Sequence, residues 1–285
     1  MPANLTDMYA AIQTPSLEVA RLYRSSMDTD EQDSSLALLH SRGGREEFEI
    51  GADFARSADA LDRIVGARIL GELGWGNQSF REESIRLLVQ LLNDSDDSVL
   101  RAALVNLGHR GATDAIPLVI PFVSHSNPDV RMGAVMALSS QNDLAAIHGL
   151  IQLARDSDRD IRNWAAFGLG SLTEVDVPEL RDVLFKLSTE EDPEIRGEAL
   201  MGLAHRRDPR GLQPLIQELQ SEFAGNWCLE AAELWALPEL CPLLVNLQAT
   251  LDGEDALKFA SDFERALQAC EKSAAADKLT APESG

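Results

Sequence analysis

Four stretches of this chain repeat one short pattern: VLRAALVNLG at Val99, VRMGAVMALS at Val130, IRNWAAFGLG at Ile161 and IRGEALMGLA at Ile195. Each opens on a β-branched residue. Ala103, Ala134, Ala165 or Ala199 follows four positions on, and Leu107, Leu138, Leu169 or Leu203 four after that. The leucines are spaced 31, 31 and 34 residues apart. A period of this length implies stacked repeats, because one such unit cannot bury its apolar face alone and its neighbours must cover it. Stacks of this kind build extended binding surfaces more readily than single catalytic pockets.

A second apolar segment precedes each copy: SIRLLVQLLN from Ser84, AIPLVIPFVS from Ala115, AIHGLIQLAR from Ala146 and ELRDVLFKLS from Glu179. Their apolar residues recur at three and four positions, the helical period. Short polar clusters lie between the two segments, at Asp94, Ser126, Asp156 and Glu190. Such residues favour turns and helix N-caps. The unit is therefore helix, tight turn, helix. A looser first pair is expected from Glu46 and Leu61, with Leu73 in the leucine position. A sixth is expected from Arg210 and Asn226, then closing helices over Leu240–Leu247 and Ala256–Cys270. Residues 1–44 read as a cap in which Leu17–Ser25 forms a helix and Asp28–Asp33 an acidic loop. The repeats span 45–237 and the closing helices 238–271, and 272–285 read as a disordered tail.

The 285 residues carry a formal charge of −22. That argues against sequence-independent binding of phosphate-rich nucleic acid. It suits solubility or a basic protein partner. The three cysteines, Cys228, Cys241 and Cys270, form neither a CxxC nor an even set. They do not read as a disulfide framework. No secretory signal is legible in the first thirty residues, and no apolar run is long enough to span a bilayer. A cytoplasmic protein without membrane contact is expected.

The D-x-x-V/I-R-x-x-A-x-x-x-L-G pattern resembles HEAT repeats, in the short HEAT-like variant of the phycobilin lyases. The resemblance covers roughly residues 45–237. It implies an all-α solenoid, a right-handed superhelix of about six helix pairs with capping helices. It also implies that the second helix of each pair lines the concave face, and that acid and arginine columns (Asp94, His125, Asp156, Glu190 against Arg131, Arg162, Arg196) link neighbouring repeats.

At 100° per residue, the opener and its fourth and eighth positions share the core side of a helix. The fifth positions (Leu104, Val135, Ala166, Leu200) and sixth positions (Val105, Met136, Phe167, Met201) point away and are apolar too. They read either as packing between repeats or as a groove for a partner. Trp164 beside Phe167 is the aromatic anchor of that groove. The candidate contacts are Val105, Met136, Trp164, Phe167 and Met201, with Arg131, Arg162, Arg196, Arg206 and Arg207 as their charged companions. Arg206 and Arg207 belong to the most basic run of the chain, which also reads as a helix terminus whose cations complement the dipole.

No metal or cofactor site is expected. No HExxH, CxxC or GxSxG is present, and His109 and His205 stand three units apart at the same helical position. The sequence therefore reads as a non-catalytic protein-protein interaction scaffold. One alternative is an acidic inhibitor or immunity protein that neutralises a toxin or nucleic-acid enzyme. Another is a bilin lyase-type role in chromophore attachment, implied by the resemblance.

Overall fold

A computed structural model describes residues 13–27, 34–74, 76–221, 225–251 and 257–280. These contain helices and no strand. The first helices are α1 (Ser16–Ser26) and α2 (Ser35–Arg42). Consecutive pairs follow: α3 (Arg45–Ala55) with α4 (Ala60–Glu72), and α5 (Arg81–Leu91) with α6 (Asp97–His109). Next come α7 (Ile116–Val119) with α8 (Pro128–Leu138), and α9 (Leu144–Leu153) with α10 (Arg159–Gly170). The last pairs are α11 (Pro178–Leu187) with α12 (Pro193–His205), and α13 (Leu212–Leu219) with α14 (Asn226–Trp235). The closing helices are α15 (Cys241–Thr250) and α16 (Ala260–Thr280). This is an all-α solenoid, with the six pairs the repeat implied.

The chain forms two compact units, 1–149 and 150–285, with the boundary inside α9. In the first, α3 packs on α4, α4 on α6 and α6 on α8, while α5 backs α6. In the second, α10 packs on α12, α12 on α14 and α14 on α16, with α11 behind α12 and α13 behind α14. Within each unit, second helices of successive pairs thus form one layer and first helices another.

The repeat explains this layering. Openers, alanines and leucines of all four copies are at most 1% exposed. Burying one such aliphatic side chain contributes about 1.5–3 kcal/mol. At the fifth positions, of the two readings, packing between repeats holds. Leu104, Val135, Ala166 and Leu200 are fully buried, because a second helix is flanked by neighbouring second helices as well as backed by its own partner. The outward edge narrows to the sixth position, where Val105, Met136, Phe167 and Met201 are half-buried.

One turn chemistry recurs. Asp59, Asp96, Asn127, Asp158 and Asp192 cap the N-termini of α4, α6, α8, α10 and α12, each accepting from backbone N–H groups of the first turn. Each cap is worth about 1 kcal/mol. Four residues past Asp96 stands Leu100, and four past each of the other caps stands Arg63, Arg131, Arg162 or Arg196. Its Nη1 donates to two carbonyls of the preceding loop: those of Ser57 and Ala58, His125 and Ser126, Asp156 and Ser157, and Glu190 and Glu191. Two of these arginines also reach the next repeat. Arg63 binds Asp94 at 2.6 and 2.9 Å, and Arg196 binds Glu218 at 2.9 and 3.0 Å. Both are bidentate, the stronger geometry for an arginine–carboxylate pair. The Arg63 guanidinium holds the Asp94 carboxyl below its ordinary range.

Three details depart from the sequence reading. Counted from its cap, the first pair places Leu70, not Leu73, in the leucine position, and Leu73 lies just past the end of α4. The segment AIPLVIPFVS is not one helix. Pro117 and Pro121 lack the N–H that an α-helix needs, and α7 gives way to a 3₁₀ turn over Ile120–Ser124. At the other end, α16 runs to Thr280, into the stretch expected to be a disordered tail. The acidic segment Asp28–Asp33 and residues 281–285 lie outside the described residues.

Candidate binding surfaces on the second helices

In the first unit, α1 and α2 stand over the outward edges of α4 and α6 and leave a cavity of about 560 Å³. Val105 lines it, beside Ile64, Met27 and Leu36. Apart from Ala102, the rest of the wall carries polar groups. Arg68 donates from Nη1 to the Tyr23 hydroxyl at 2.8 Å, and its carbonyl meets His40 Nε2 at 3.0 Å. Glu72 lies between two histidines, with His109 Nδ1 at 2.7 Å and His40 Nδ1 at 3.5 Å. His40 is 3% exposed, and burial pushes its imidazole below the ordinary pKa. Asp97 accepts from Asn127 Nδ2 at 2.8 Å. The sequence reading missed this cavity because its walls come from helices far apart in the chain.

In the second unit the outward edge belongs to α10 and α12. Trp164 is 43% exposed and packs edge-to-face on Phe167, centroids 5.8 Å apart and rings inclined at 80°. Asn163, Phe167 and Ser171 follow one another at four-residue spacing along one ridge. Both ends of that ridge touch α12: Asn163 Nδ2 donates to Glu194 at 3.3 Å and Ser171 Oγ to Glu198 at 3.1 Å. Phe167 therefore lies between two carboxylates of the next repeat. Glu194 shares the Arg159 guanidinium with Asp192 and Asp160. Glu198 is half-buried and has only the Ser171 hydroxyl. Burial first, then the charges of Glu230 and Glu194, raise its carboxyl pKa.

A carboxyl whose pKa is higher in the folded chain than in the unfolded one is held more tightly in its protonated form. Its ionisation therefore lowers stability as pH rises from the ordinary glutamate value through the raised one. Glu198→Gln is expected to raise the thermal midpoint at pH 7 by about 1–3 °C and to gain nothing at pH 4, followed by circular dichroism. An equal gain at both pH values would remove the electrostatic cause.

The arginines singled out in the sequence divide into three kinds. Arg131, Arg162 and Arg196 are the loop clamps described above. Arg206 donates to the carbonyls of Gly170, Thr173, Val175 and Gly202, stapling the end of α12 to the loop after α10. Arg207 is exposed, with φ of +47°. Arg110, which the sequence reading did not single out, is the first-unit counterpart of Arg206. It is 2% exposed and donates to the carbonyls of Leu70 and Leu73 at 2.7 and 2.9 Å. The repeated His-Arg pair at 109–110 and 205–206 was its available signal.

Among the described residues no group of three or more His, Cys, Asp or Glu side chains is placed to hold a metal ion. No described helix is long and apolar enough to cross a membrane.

Residues 85–170 and 147–237 match the HEAT-repeat family, together more than half of the chain. The chain belongs to that family. Among solved structures it is similar to Escherichia coli YibA, with a TM-score of 0.67 and 24% identity, covering 94% of this chain and 97% of that one. It is also similar to the archaeal HEAT-like repeats protein of Thermococcus onnurineus NA1, with a TM-score of 0.51 and 16% identity over 80% of this chain and 96% of that one. The CpcE and CpcF complex of phycocyanin lyase from Nostoc sp. PCC7120 matches with a TM-score of 0.47 and 14% identity, over 77% of this chain and 94% of that one. Likeness at these identities is likeness of fold. No curated protein matches the sequence.

Proposed function

We propose that this chain is a non-catalytic scaffold that binds a partner protein on the outward edges of its second helices. Membership of the HEAT-repeat family, with second helices that form one layer within each unit, supports the reading. The observation that carries it is the exposed Trp164, packed edge-to-face on Phe167, whose ridge is bonded at its two ends to the carboxylates of Glu194 and Glu198. A large aromatic residue held rigid at a surface, with polar neighbours around it, is the usual form of an interface hot spot. Met201 on α12 extends this edge, and Val105 and Met136 hold the equivalent positions in the first unit. Arg131, Arg162, Arg196 and Arg206 support that layer through their loop bonds, and Arg207 is the exposed cation at its margin.

The charge of −22 and the acidic rim favour a basic partner. An inhibitor or immunity protein that covers the basic site of a toxin or nucleic-acid enzyme is the specific form this chemistry favours. A bilin lyase-type role rests on the family resemblance alone. The free thiols Cys228, Cys241 and Cys270 support a reducing compartment, the cytoplasm.

The test is affinity capture with the full chain and with Trp164→Ala/Phe167→Ala, read by mass spectrometry. A partner held by the parent chain is expected to weaken at least tenfold with the double variant, whose helical circular dichroism stays unchanged. A partner retained equally by both would overturn this placement of the interface.

A further inference from the structure

We propose that the cavity beneath α1 and α2 binds a small amphipathic monocarboxylate. Its carboxylate meets Arg68, Arg101 and the Tyr23 hydroxyl, and its hydrocarbon body lies against Leu36, Ile64 and Val105. The site lies wholly in the first unit and does not depend on the scaffold reading.

Helix register builds the wall. Glu72 of α4 and His109 of α6 hold the same place relative to their caps, Asp59 and Asp96, and meet at 2.7 Å. One turn earlier stand Arg68 and Val105, and one turn before those Ile64 and Arg101. All four line the cavity. Cation and aliphatic thus alternate along each helix and across the pair, with the arginines on a diagonal. At a rise of about 1.5 Å per residue and helices about 8–10 Å apart, the two arginine backbones are about 10–12 Å apart. Guanidinium arms reaching inward from both points can meet the oxygens of one carboxylate.

Donors on this wall outnumber their acceptors. Tyr23 is 6% exposed, and its hydroxyl oxygen accepts from Arg68 Nη1 at 2.8 Å. The hydroxyl proton has no acceptor among the described residues. Arg68 is half-buried and makes no other side-chain bond there, and neither it nor the exposed Arg101 has an ion pair. The carboxylates of the cavity are turned to other donors, Glu72 to His109 and His40 and Asp97 to Asn127, while Asp129 is exposed. A buried hydroxyl proton and a half-buried guanidinium without acceptors cost free energy. Such costs concentrate at functional sites.

The group that satisfies these donors carries two oxygens and one negative charge. A carboxylate takes parallel N–H donors from a guanidinium and an O–H from a phenol. A phosphate brings a second charge into a cavity that Glu72, Asp97 and Asp129 also line. The volume of about 560 Å³ leaves room for a hydrocarbon body beside the aliphatic side chains. The walls from α4 and α6 are mid-helix, where backbone N–H and C=O groups are already paired. A peptide chain would forfeit hydrogen bonds there, and a hydrocarbon forfeits none.

The probes are octanoate, octanamide, acetate and the peptide acid Ac-Gly-Leu-Leu-OH, titrated into the full chain and followed by calorimetry. Octanoate is expected to bind at one site per chain, at least about tenfold more tightly than octanamide or acetate. In Arg68→Met its advantage over octanamide should fall below about twofold. Tyr23→Phe should weaken octanoate about three- to tenfold. Arg265→Met, on α16 of the second unit, should change neither. If Arg68→Met loses its helical circular dichroism, Arg101→Met carries the same expectation. Absence of saturable octanoate binding below about 5 mM would overturn the site. So would equal affinities for octanoate and octanamide, acetate binding as tightly as octanoate, or an undiminished preference in a folded arginine variant. Tighter binding of the peptide acid than of octanoate would overturn the small-molecule assignment in favour of a protein C-terminus.

Discussion

Replacing Arg110 by alanine is expected to lower folding stability by about 3–4 kcal/mol. The last turn of a helix leaves carbonyls without intrahelical donors, and they form the negative end of its dipole. At the end of α4 two such carbonyls, of Leu70 and Leu73, accept from Arg110 Nε and Nη1. Both leucine side chains are fully buried, and Arg110 itself is 2% exposed. Alanine removes two charge-assisted bonds, leaves their acceptors unpaired and opens a void where a long side chain was packed. Burial, reinforced by Arg81, pulls the Arg110 pKa down to about 10, so the guanidinium stays protonated at neutral pH. Arg110→Met separates the contributions, since it keeps most of the volume and loses only the bonds. It should retain about half of the lost stability. Arg206→Ala, at the more open site in the second unit, should cost about 1.5–3 kcal/mol. Urea unfolding with two spectroscopic probes measures all three. A loss below about 1 kcal/mol in Arg110→Ala would mean that water replaces the staple without penalty.

What the sequence disclosed, and what it withheld, follows from the distance over which each interaction acts. Caps, openers, alanines and leucines are local. Their spacing is imposed by 3.6 residues per turn, so Val99, Ala103 and Leu107 could be placed in the core by counting. The arginine four residues past four of the five caps bonds to its own loop, and its recurrence was visible as a column. Leu104 and Val135 could not be assigned in this way. A single helical wheel gives one buried side, whereas a helix flanked by neighbours has three, and only the stack says which. Leu73 stood at an apt spacing and still lay past the helix end, because the cap at Asp59 sets the register. Glu198 was invisible as a partner of Ser171, since the contact joins consecutive repeats. Phe167 was legible on the edge opposite the opener, and Trp164 as the aromatic beside it.

The glycine that closes the repeat motif supplies the second large effect. Gly108→Ala and Gly170→Ala are each expected to cost about 2–3 kcal/mol. Ordinary helix propensity points the other way, since alanine is favoured over glycine inside a helix by about 1 kcal/mol. Geometry decides between them. A Cβ on Gly108 would stand 2.4 Å from the Met136 carbonyl oxygen, and one on Gly170 would stand 2.4 Å from that of Glu198. Both obstacles are backbone of the next second helix, so no rotamer change relieves them. Roughly an ångström of helix displacement is needed, against the packing of an entire layer. Gly76→Ala, where the added methyl meets nothing within 4 Å, is the control and should change stability by less than about 0.5 kcal/mol. The two costly variants differ in consequence. Gly170→Ala pushes directly on the Glu198 backbone, so it should also shift the tryptophan emission of the second unit. Gly108→Ala acts within the first unit and should leave that emission unchanged under conditions where each variant is folded. If Gly170→Ala is as stable as the parent chain, α10 and α12 do not approach through their backbones, and the alignment of Phe167 with Glu198 fails with it.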